Sequence, residues 1–410
     1  MIIREHYLEK IRPFLGKPVV KAITGMRRVG KSVFVRQIME LLSTEGVAPD
    51  AIVYVDMESL EYDFIRDYRA LNDHVIARSA HVSGKIHVLI DEVQDISEWE
   101  RAVASWSGQP DRYDVTITGS NSTLFSGELA SKLTGRYVEI VLYPLSLREF
   151  RDFYPEVSTP EQLFQLYLRY GGMPGLRILD TLSDDTALLF LNGIHDSIVL
   201  KDIVRRQNIR NAALLDAICN FAYDNIANPL TASRISAYLK SQQLKTNVQS
   251  VINYLRALED AQLFSKVPRY DIKGKKYLEI NNKFYASDVG LRHARVGFRA
   301  GDIAQLIENL VYTELCRRHD RVCSGEIDRY EVDFVAIKSS EPHYYQVTTA
   351  MDDPVTRARE TRSLLAIPDN YPKTVISLAP VYGDRVQGIE VVSLLDFLLN
   401  PAVDQESDRY

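Results

Sequence analysis

Cysteine is scarce in this sequence, which has only Cys219, Cys316 and Cys323 in 410 residues. Three scattered thiols cannot form the disulfide framework that small secreted domains need. A metal site built from Cys316, His319 and Cys323 lacks a fourth ligand, so we interpret these thiols as structural. The shortage of cysteine favours a reducing compartment, and we expect a cytoplasmic protein.

Long apolar runs are also absent from the sequence. No stretch approaches the ~18 apolar residues that are needed to cross a bilayer. The opening segment, MIIREHYLEK, lacks the apolar core of a secretory signal. We therefore expect no membrane-spanning segment and no membrane partner.

An excess of positive charge is missing as well, because 49 lysines and arginines stand against 55 aspartates and glutamates, a formal net charge of −6. This balance excludes a surface covered with positive charge for indiscriminate binding of nucleic acid. The sequence also lacks the Gly-x-Ser-x-Gly and His-Glu-x-x-His signatures of hydrolytic enzymes. Catalysis and nucleic-acid contacts must then come from local motifs.

The sequence pattern predicts an α/β protein of several domains. The first ~150 residues alternate apolar, β-branched runs with helical stretches, which indicates a doubly wound parallel sheet. Its strands are predicted at 19–24, 51–57, 87–92, 114–119 and 138–143. Helical periodicity follows, then short helices and two extended runs typical of a winged helix, then a further α/β segment. We expect a P-loop core at 1–155, a helical lid at 156–210, a winged helix at 211–290 and a C-terminal α/β domain at 291–410.

A phosphate-binding motif lies between the first predicted strand and helix. Residues Gly25 to Ser32 read GMRRVGKS and match G-x-x-x-x-G-K-[ST]. Glycines permit a tight loop whose backbone N–H groups surround phosphates, Lys31 reaches the β- and γ-phosphates, and Ser32 supplies a hydroxyl to Mg²⁺. We predict that ATP and Mg²⁺ bind here, with contacts from Gly25, Arg27, Arg28, Val29, Gly30, Lys31, Ser32 and Val33.

A second motif places two carboxylates at the end of an apolar strand, in the run VLIDE at 88–92. In this pattern Asp91 holds the Mg²⁺ shell, and Glu92 orients or deprotonates the attacking water. Asn121, after the strand DVTITG, is predicted to sense the γ-phosphate, a helix cap being the alternative. Arg136 is either a finger that reaches the ATP of a neighbouring subunit or an ordinary surface arginine.

Several segments together carry a family resemblance, namely TGMRRVGKS, VLIDEVQ, ITGSNSTL, LTGRYVEIVLYPLSLREF and YLRYGGMPGL. They resemble a large family of bacterial and archaeal AAA-type ATPases related to the origin-recognition clade, and the resemblance covers nearly the whole chain. It implies a P-loop AAA-type ATPase domain with a helical lid, a winged-helix domain and a C-terminal restriction-endonuclease-like domain of unknown function. It also implies that Arg136 is an arginine finger, that Gly171 to Gly175 form the lid turn, and that the protein is a homo-oligomer, with a closed ring as one form.

Positive charge is concentrated in the predicted winged helix. Residues 211–285 contain ten basic and six acidic side chains, in a chain whose total is negative. This segregation indicates an anionic partner such as DNA. The alternative is that the segment packs against the ATPase domain or another protein. The predicted DNA contacts are Lys245, Thr246 and Asn247 at the recognition helix, Lys273, Lys275 and Lys276 on the wing, and Arg205 and Arg206 upstream.

The C-terminal domain offers an incomplete nuclease motif. Restriction-endonuclease-like domains use a glutamate, an aspartate and Glu/Gln-x-Lys to position a divalent ion. Here Glu308, Asp333 and Gln346 fit this order, but Thr348 stands where the lysine belongs, so we predict a degenerate site.

Three functions remain open from the sequence. The leading prediction is an ATP-hydrolysing ATPase that couples nucleotide state to the binding or remodelling of DNA, branched DNA included. One alternative is an ATP-gated switch that binds a protein partner. The other is an ATP-regulated, metal-dependent nuclease.

Overall fold

The computed structural model describes residues 2–121, 135–179, 181–207, 209, 211–379 and 385–400. The chain divides into two compact units, Met1–Leu142 with Asp260–Gln262, and Tyr143–Glu259 with Leu263–Tyr410. Among the helices that are described, none has both the length and the apolar character needed to cross a bilayer.

The first unit is built on a five-stranded parallel sheet with the order β2–β3–β4–β1–β5. The strands are β1 Val20–Thr24, β2 Ile52–Asp56, β3 Ile86–Asp91, β4 Tyr113–Gly119 and β5 Tyr137–Val141. The described helices of this unit are α1 Glu5–Ile11, α2 Lys31–Thr44, α3 Tyr68–Arg78 and α4 Trp99–Ser107. The sheet confirms the predicted parallel α/β core, and each strand lies within two residues of its predicted position.

Burial on both faces explains why these strands read as continuous apolar runs in the sequence. Every residue of β1 and β3 is buried, as parallel strands covered by helices on both sides require. Trp99 and Trp106 of α4 pack into the same core as strand residues such as Val88 and Ile90. This packing fixes the carboxyl edge of the sheet, where β1 runs into the P-loop.

The second unit begins with helices. They are α5 Leu147–Phe153, α6 Pro160–Tyr170, α7 Leu189–Ile198, α8 Ala212–Asp224, α9 Ala232–Ser241 and α10 Val248–Asp260. Ser146 caps α5 through a reciprocal capping box with Glu149. Two π-helical stretches, Asp184–Leu188 and Val199–Arg205, flank α7. The helical periodicity seen in the sequence from about 160 is therefore present.

Eight strands form the sheet of the second unit, in the order β12–β13–β11–β10–β9–β8–β6–β7. The strands are β6 Phe264–Asp271, β7 Lys276–Ala286, β8 Arg321–Ile327, β9 Tyr330–Lys338, β10 Glu341–Thr348, β11 Lys373–Ser377, β12 Arg385–Val386 and β13 Ile389–Ser393. The remaining described helices are α11 Val289–Val296, α12 Ile303–Arg318, α13 Pro354–Leu365 and α14 Leu394–Leu399.

The hairpin of the predicted winged helix belongs to this same sheet. Strands β6 and β7 pair antiparallel with each other, and β6 pairs parallel with β8 from Arg269↔Ser324 to Asp271↔Glu326. The sequence led us to expect a wing within a separate domain that ends at 290. Long-range pairing, which the local sequence does not encode, places the hairpin at the edge of the sheet that also holds the C-terminal strands. The predicted boundaries at 155, 210 and 290 remain predictions.

Candidate nucleotide-binding site

The P-loop depends on two glycines with different roles. At Gly25 a Cβ atom would lie 2.5 Å from the carbonyl oxygen of Leu142, so this position requires the absence of a side chain. Gly30 has φ of +97° in open space and forms the N-cap of α2, a left-handed conformation that glycine adopts without strain. The loop therefore turns sharply at Gly30 and directs the N-terminus of α2 back over the end of β1.

Lys31 is buried at the start of α2, and its ammonium points into this loop. Its Nζ atom donates to the carbonyl oxygens of Gly25 at 3.0 Å and Met26 at 3.4 Å. The same atom lies 3.3 Å from Oε1 of Glu92. The two sequence motifs are thus brought together at one point of the carboxyl edge of the sheet.

Asp91 ends β3 and is held by two hydroxyl groups. Oγ1 of Thr118, on the adjacent strand β4, donates to Oδ1 of Asp91, and Ser32 also hydrogen-bonds to this carboxylate. Burial raises the pKa of Asp91, and these two hydrogen bonds oppose that rise. The contact with Ser32 links the first turn of α2 directly to the end of β3.

Glu92 follows in a left-handed backbone conformation with φ of +54°, which is unusual for a non-glycine residue and is typical of functional sites. Its backbone N–H donates to Oγ1 of Thr118 at 3.0 Å, and its Oε2 accepts a hydrogen bond from Gln94. Burial disfavours the charged carboxylate, but Lys31, Gln94 and Arg27 outweigh this effect and lower its pKa. Glu92 is therefore an anion, as a water-orienting base requires.

The other predicted P-loop residues surround this centre. Val29 is fully buried and Val33 is exposed on the first turn of α2. Arg27 donates from Nη1 to Oε1 of Glu58 at 2.6 Å. Arg28 is exposed and has φ of +70°. Their contacts with nucleotide remain predictions.

Asn121 and Arg136 lie at opposite ends of the sheet. Asn121 follows β4 at the carboxyl edge, and β4 lies between β3, which ends at Asp91, and β1, which leads into the P-loop. The carbonyl oxygen of Arg136 accepts a hydrogen bond from the N–H of Val20 at 2.9 Å, at the amino edge. Because β1 rises ~3.3 Å per residue, the backbone of Arg136 is about 16 Å from the P-loop. Leu133 and Thr134, which precede it in the motif, lie outside the described residues.

The oxygen atoms at the centre of the site suit a magnesium ion. Ser32 and Asp91 supply a hydroxyl and a carboxylate that already contact each other, and hard oxygen ligands of this kind are the ones Mg²⁺ prefers. Lys31 is the nearby cation that favours the charged form of the buried Asp91. A divalent cation is therefore compatible with the charge of the site.

The predicted DNA contacts fall in three places of the second unit. Lys245, Thr246 and Asn247 precede α10, with Lys245 and Asn247 exposed, and Oδ1 of Asn247 accepts from the N–H of Ser250 at 2.8 Å. Lys273, Lys275 and Lys276 lie at the exposed turn between β6 and β7, where Lys273 pairs with Asp328 at 3.1 Å. Arg205 is exposed, and Arg206 lies 3.8 Å from Asp202. Contact with DNA remains a prediction for each group.

The predicted nuclease residues lie close to one another, but they are occupied by protein contacts. Glu308 accepts hydrogen bonds from Lys283 and Tyr285, at 2.8 and 2.6 Å. Asp333 accepts from the N–H of Val347 at 2.8 Å. Oε1 of Gln346 accepts from the hydroxyl of Ser363 at 3.2 Å.

Two residues of the nucleotide site were missed from the sequence, Thr118 and Gln94. The sequence signal for Thr118 is a polar residue within an apolar strand. In the structure every residue of that strand except the first is buried. Gln94 stands two positions after Glu92, within the motif VLIDEVQ, but nothing in that spacing indicates that its amide turns back to the carboxylate. Both roles become visible only when β3 and β4 are side by side.

Comparison with known proteins gives the family. A family described as "AAA domain" matches residues 17–151, and a family described as a domain of unknown function matches residues 161–302. An uncharacterized protein of Haemophilus influenzae is 37% identical over 402 residues, covering 97% of this chain and 99% of that protein. An uncharacterized protein of Methanocaldococcus jannaschii is 26% identical over 336 residues, covering 77% and 71%.

A solved structure also matches part of this chain. The Walker-type ATPase of Pyrococcus abyssi covers 72% of this chain and 95% of its own length, with 16% identity and a TM-score of 0.47. The nucleotide motifs and the parallel sheet agree with the AAA match, and the Haemophilus influenzae relative matches the chain nearly from end to end. This chain belongs to the same family as the Haemophilus influenzae relative, and its residues 17–151 form an AAA domain.

Proposed function

We propose that this protein hydrolyses ATP to ADP and phosphate with Mg²⁺, and that its nucleotide state controls binding to DNA. The observation that carries the hydrolysis is the convergence of Lys31, Asp91 and Glu92 at the carboxyl edge of the parallel sheet. Ligands bind at this edge in open α/β folds. A cationic phosphate ligand, a metal ligand and a general base are the groups that phosphoryl transfer to water needs.

Lys31 and Glu92 have linked roles in this proposal. Phosphate oxygens compete with Glu92 for the ammonium of Lys31, because both are anions at the same donor. As Lys31 turns to phosphate, Glu92 keeps its orientation through the amide of Gln94 and through its backbone N–H on Thr118. Glu92 then accepts a hydrogen bond from the attacking water and takes its proton.

The metal-binding part of the site rests on Ser32 and Asp91. Mg²⁺, when bound, offsets the negative charge of the phosphates. Thr118 keeps one oxygen of Asp91 fixed by its hydrogen bond, and the other oxygen lies 3.5 Å from the hydroxyl of Tyr54. Thr118 on β4 and Tyr54 on β2 thus hold the carboxylate of Asp91 in the orientation that faces Ser32.

The exposed face of α10 supports a DNA partner. Gln249, Asn253 and Arg256 are exposed on this helix, and Lys245 and Asn247 stand exposed just before it. Amide and guanidinium side chains are the ones that read base edges in the major groove, and lysines bind phosphate. The uneven charge of the chain, positive over residues 211–285 and negative over the rest, agrees with this role.

A protein partner is the second candidate, and a specific observation favours it. The same helix exposes Val248 and Ile252, each 39% accessible, and α9 exposes Tyr238 at 45%. Apolar side chains on an exposed helix are typical of a protein interface and contribute little to phosphate binding. In this alternative, ATP hydrolysis triggers the release of a bound protein partner.

The experiment is steady-state phosphate release by the wild type and Lys31→Ala, with no DNA, duplex, single strand or a four-way junction, at low and moderate salt. The salt series identifies phosphate contacts, because they weaken steeply with ionic strength. The test variant replaces Lys273, Lys275 and Lys276 with glutamine. Lys338→Gln is the matched control, since Lys338 is equally exposed but lies at the far end of β9.

We expect stimulation by one form of DNA in the wild type and in Lys338→Gln, a smaller response in the triple variant, and no turnover in Lys31→Ala. Turnover that no form of DNA changes would instead favour a protein partner.

We also propose that the protein is cytoplasmic, because its sequence has little cysteine, and that it forms a homo-oligomer, because an arginine finger at Arg136 would act on the ATP of a neighbouring subunit.

A further inference from the structure

Lys283 is a buried lysine on β7, in the hairpin that the sequence assigned to a winged helix. Its side chain is 6% exposed, compared with 72% for Lys273 in the turn of the same hairpin. On β6 it pairs with Val267, which precedes the β6–β8 pairing that starts at Arg269. Pairing within the hairpin therefore fixes the position of Lys283, which lies opposite a part of β6 that does not pair with β8.

Two carboxylates from the C-terminal elements neutralise this lysine. Nζ of Lys283 lies 2.8 Å from Oε1 of Glu308 on α12 and 2.6 Å from Oε1 of Glu331 on β9. The hydroxyl of Tyr285, also on β7, donates to the same oxygen of Glu308 at 2.6 Å. Residues from three elements thus meet in one hydrogen-bonded group.

Asp333 completes the surroundings of Lys283. Burial raises its pKa well above the ordinary value, with Glu308 contributing in the same direction and Lys283 opposing it. Burial on its own lowers the pKa of a lysine, but Glu308, Asp333 and Glu331 together raise the pKa of Lys283. A buried ammonium without such partners would carry a large desolvation penalty.

The lysine missing from the nuclease-like motif therefore has a counterpart from another part of the chain. Thr348, at the position of the motif lysine, donates its hydroxyl to the carbonyl oxygen of Ala350 at 3.0 Å and serves the local turn. Lys283 instead approaches Glu308 and Asp333 from β7. Its ammonium is held by carboxylates within the protein.

We propose that Lys283 is the internal counter-ion of the cluster formed by Glu308, Glu331 and Asp333, and that it locks the β6–β7 hairpin onto α12 and β9. The neighbouring residue of α12 supports the same contact, because Asn309 exchanges two hydrogen bonds of 2.8 Å with the backbone of Ala286. The lock adds to the β6–β8 pairing that joins the hairpin to the C-terminal sheet. It also assigns the nuclease-like residues a structural role.

The test compares thermal unfolding of the full-length wild type, Lys283→Met, Lys273→Met and the double variant Lys283→Met/Glu308→Gln. Lys273→Met is the matched control, since it removes an exposed ion pair from the same hairpin. Trp99 and Trp106 both lie in the first unit, so tryptophan fluorescence follows that unit while far-ultraviolet circular dichroism follows the whole chain.

We expect Lys283→Met to lower the Tm seen by circular dichroism by on the order of 5–10 °C, because it leaves the mostly buried carboxylate of Glu308 without its cationic partner. The double variant should recover part of this loss, since it removes one of those charges, and Lys273→Met should change the Tm little. If Lys283→Met does not fold, recovery of a folded protein in the double variant carries the same conclusion.

Two results would overturn the proposal. One is a Tm for Lys283→Met no lower than that of Lys273→Met. The other is cleavage of duplex or single-stranded DNA by the wild type with Mn²⁺ that Lys283→Met abolishes, which would make Lys283 a catalytic residue of an active nuclease. Incubation of both proteins with Mn²⁺ and DNA, with denaturing gels as the readout, decides this second point.

Discussion

Thr118 shows how much of the nucleotide site depends on one buried hydroxyl. It donates to the carboxylate of Asp91 and accepts from the backbone N–H of Glu92. The second contact fixes the left-handed turn at Glu92, a conformation that the backbone does not favour by itself. Thr118 is fully buried and therefore positions both acidic residues from within the sheet.

Replacing Thr118 with valine should separate binding from hydrolysis. Valine keeps the shape but removes both hydrogen bonds, so we expect kcat to fall on the order of 100-fold while KM for ATP changes little. Thr118→Ser should restore most of the turnover, because serine retains the hydroxyl. A Thr118→Val enzyme with wild-type kcat would show that Asp91 and Glu92 are positioned by other contacts.

At this scale, the residues that the sequence predicted for the nucleotide site and that the structure brings together lie in contiguous motifs. Spacing within GMRRVGKS and VLIDE is local, and the chemistry of phosphate binding dictates it. Thr118 and Lys283 escaped prediction because their partners lie far away in the chain, 27 and 25 positions for Asp91 and Glu308. Only the paired strands bring such residues together.

At the scale of elements, Asp288 joins two helices of the second unit. Its Oδ2 accepts from the N–H of Gly172, after α6, at 2.7 Å, and its Oδ1 accepts from the N–H of Leu291 in α11 at 3.0 Å. A Cβ on Gly171 would lie 2.2 Å from Oδ1 of Asp288. The Gly171 to Gly175 turn, which the resemblance implied to be the lid turn, thus needs glycine at 171 to admit this carboxylate.

Asp288 also gives the second unit a pH dependence. Burial raises its pKa from an ordinary 3.8 to about 6, although the N–H groups of Gly172, Leu291 and Gly290 favour the charged form. Because the folded protein holds this proton more tightly than the unfolded chain does, protonation stabilises the fold. That contribution is complete below pH 3.8 and is lost as the pH rises through about 6.

We therefore expect the free energy of unfolding of the wild type, relative to Asp288→Asn, to increase by about 1 kcal/mol from pH 7 to pH 5. Urea unfolding of both proteins at several pH values, followed by circular dichroism, measures this difference. His195 and His293, whose pKa values burial lowers to about 4, act on both proteins equally and cancel. A difference that stays constant with pH would contradict the assignment to Asp288.

The strands and helices themselves were largely predictable, but their assembly was not. Apolar runs such as HVLIDE follow from burial on both faces of a parallel sheet, and the extended runs near 264–285 follow from their alternation and the Lys-Gly-Lys-Lys turn. The parallel pairing of Arg269 with Ser324 spans more than 50 positions and has no local signature. That pairing is what joins the hairpin to the C-terminal sheet.

At the scale of the whole molecule, the position of Arg136 bears on assembly. Its backbone lies at the amino edge of the sheet, about 16 Å from the P-loop of its own chain. An arginine finger at this place would serve the ATP of a neighbouring subunit, as the proposed homo-oligomer requires.

Mixing of variants tests this arrangement. We expect Arg136→Ala to lower kcat on the order of 10³-fold while ATP still binds. Mixing inactive Arg136→Ala with inactive Lys31→Ala should restore part of the activity, because some interfaces then combine an intact P-loop with an intact arginine. If Arg136→Ala is fully active, or if the mixture is as inactive as its components, Arg136 is an ordinary surface arginine and not an arginine finger.

In the proposed mechanism, Lys31 binds the phosphates of ATP and Glu92 drives its hydrolysis. Both roles are tested by ATP binding and single-turnover phosphate release, measured in parallel on the wild type, Lys31→Ala and Glu92→Gln. We predict that Glu92→Gln binds ATP like the wild type but releases phosphate at least about 100-fold more slowly, and that Lys31→Ala binds ATP weakly. Phosphate release by Glu92→Gln at the wild-type rate would contradict it.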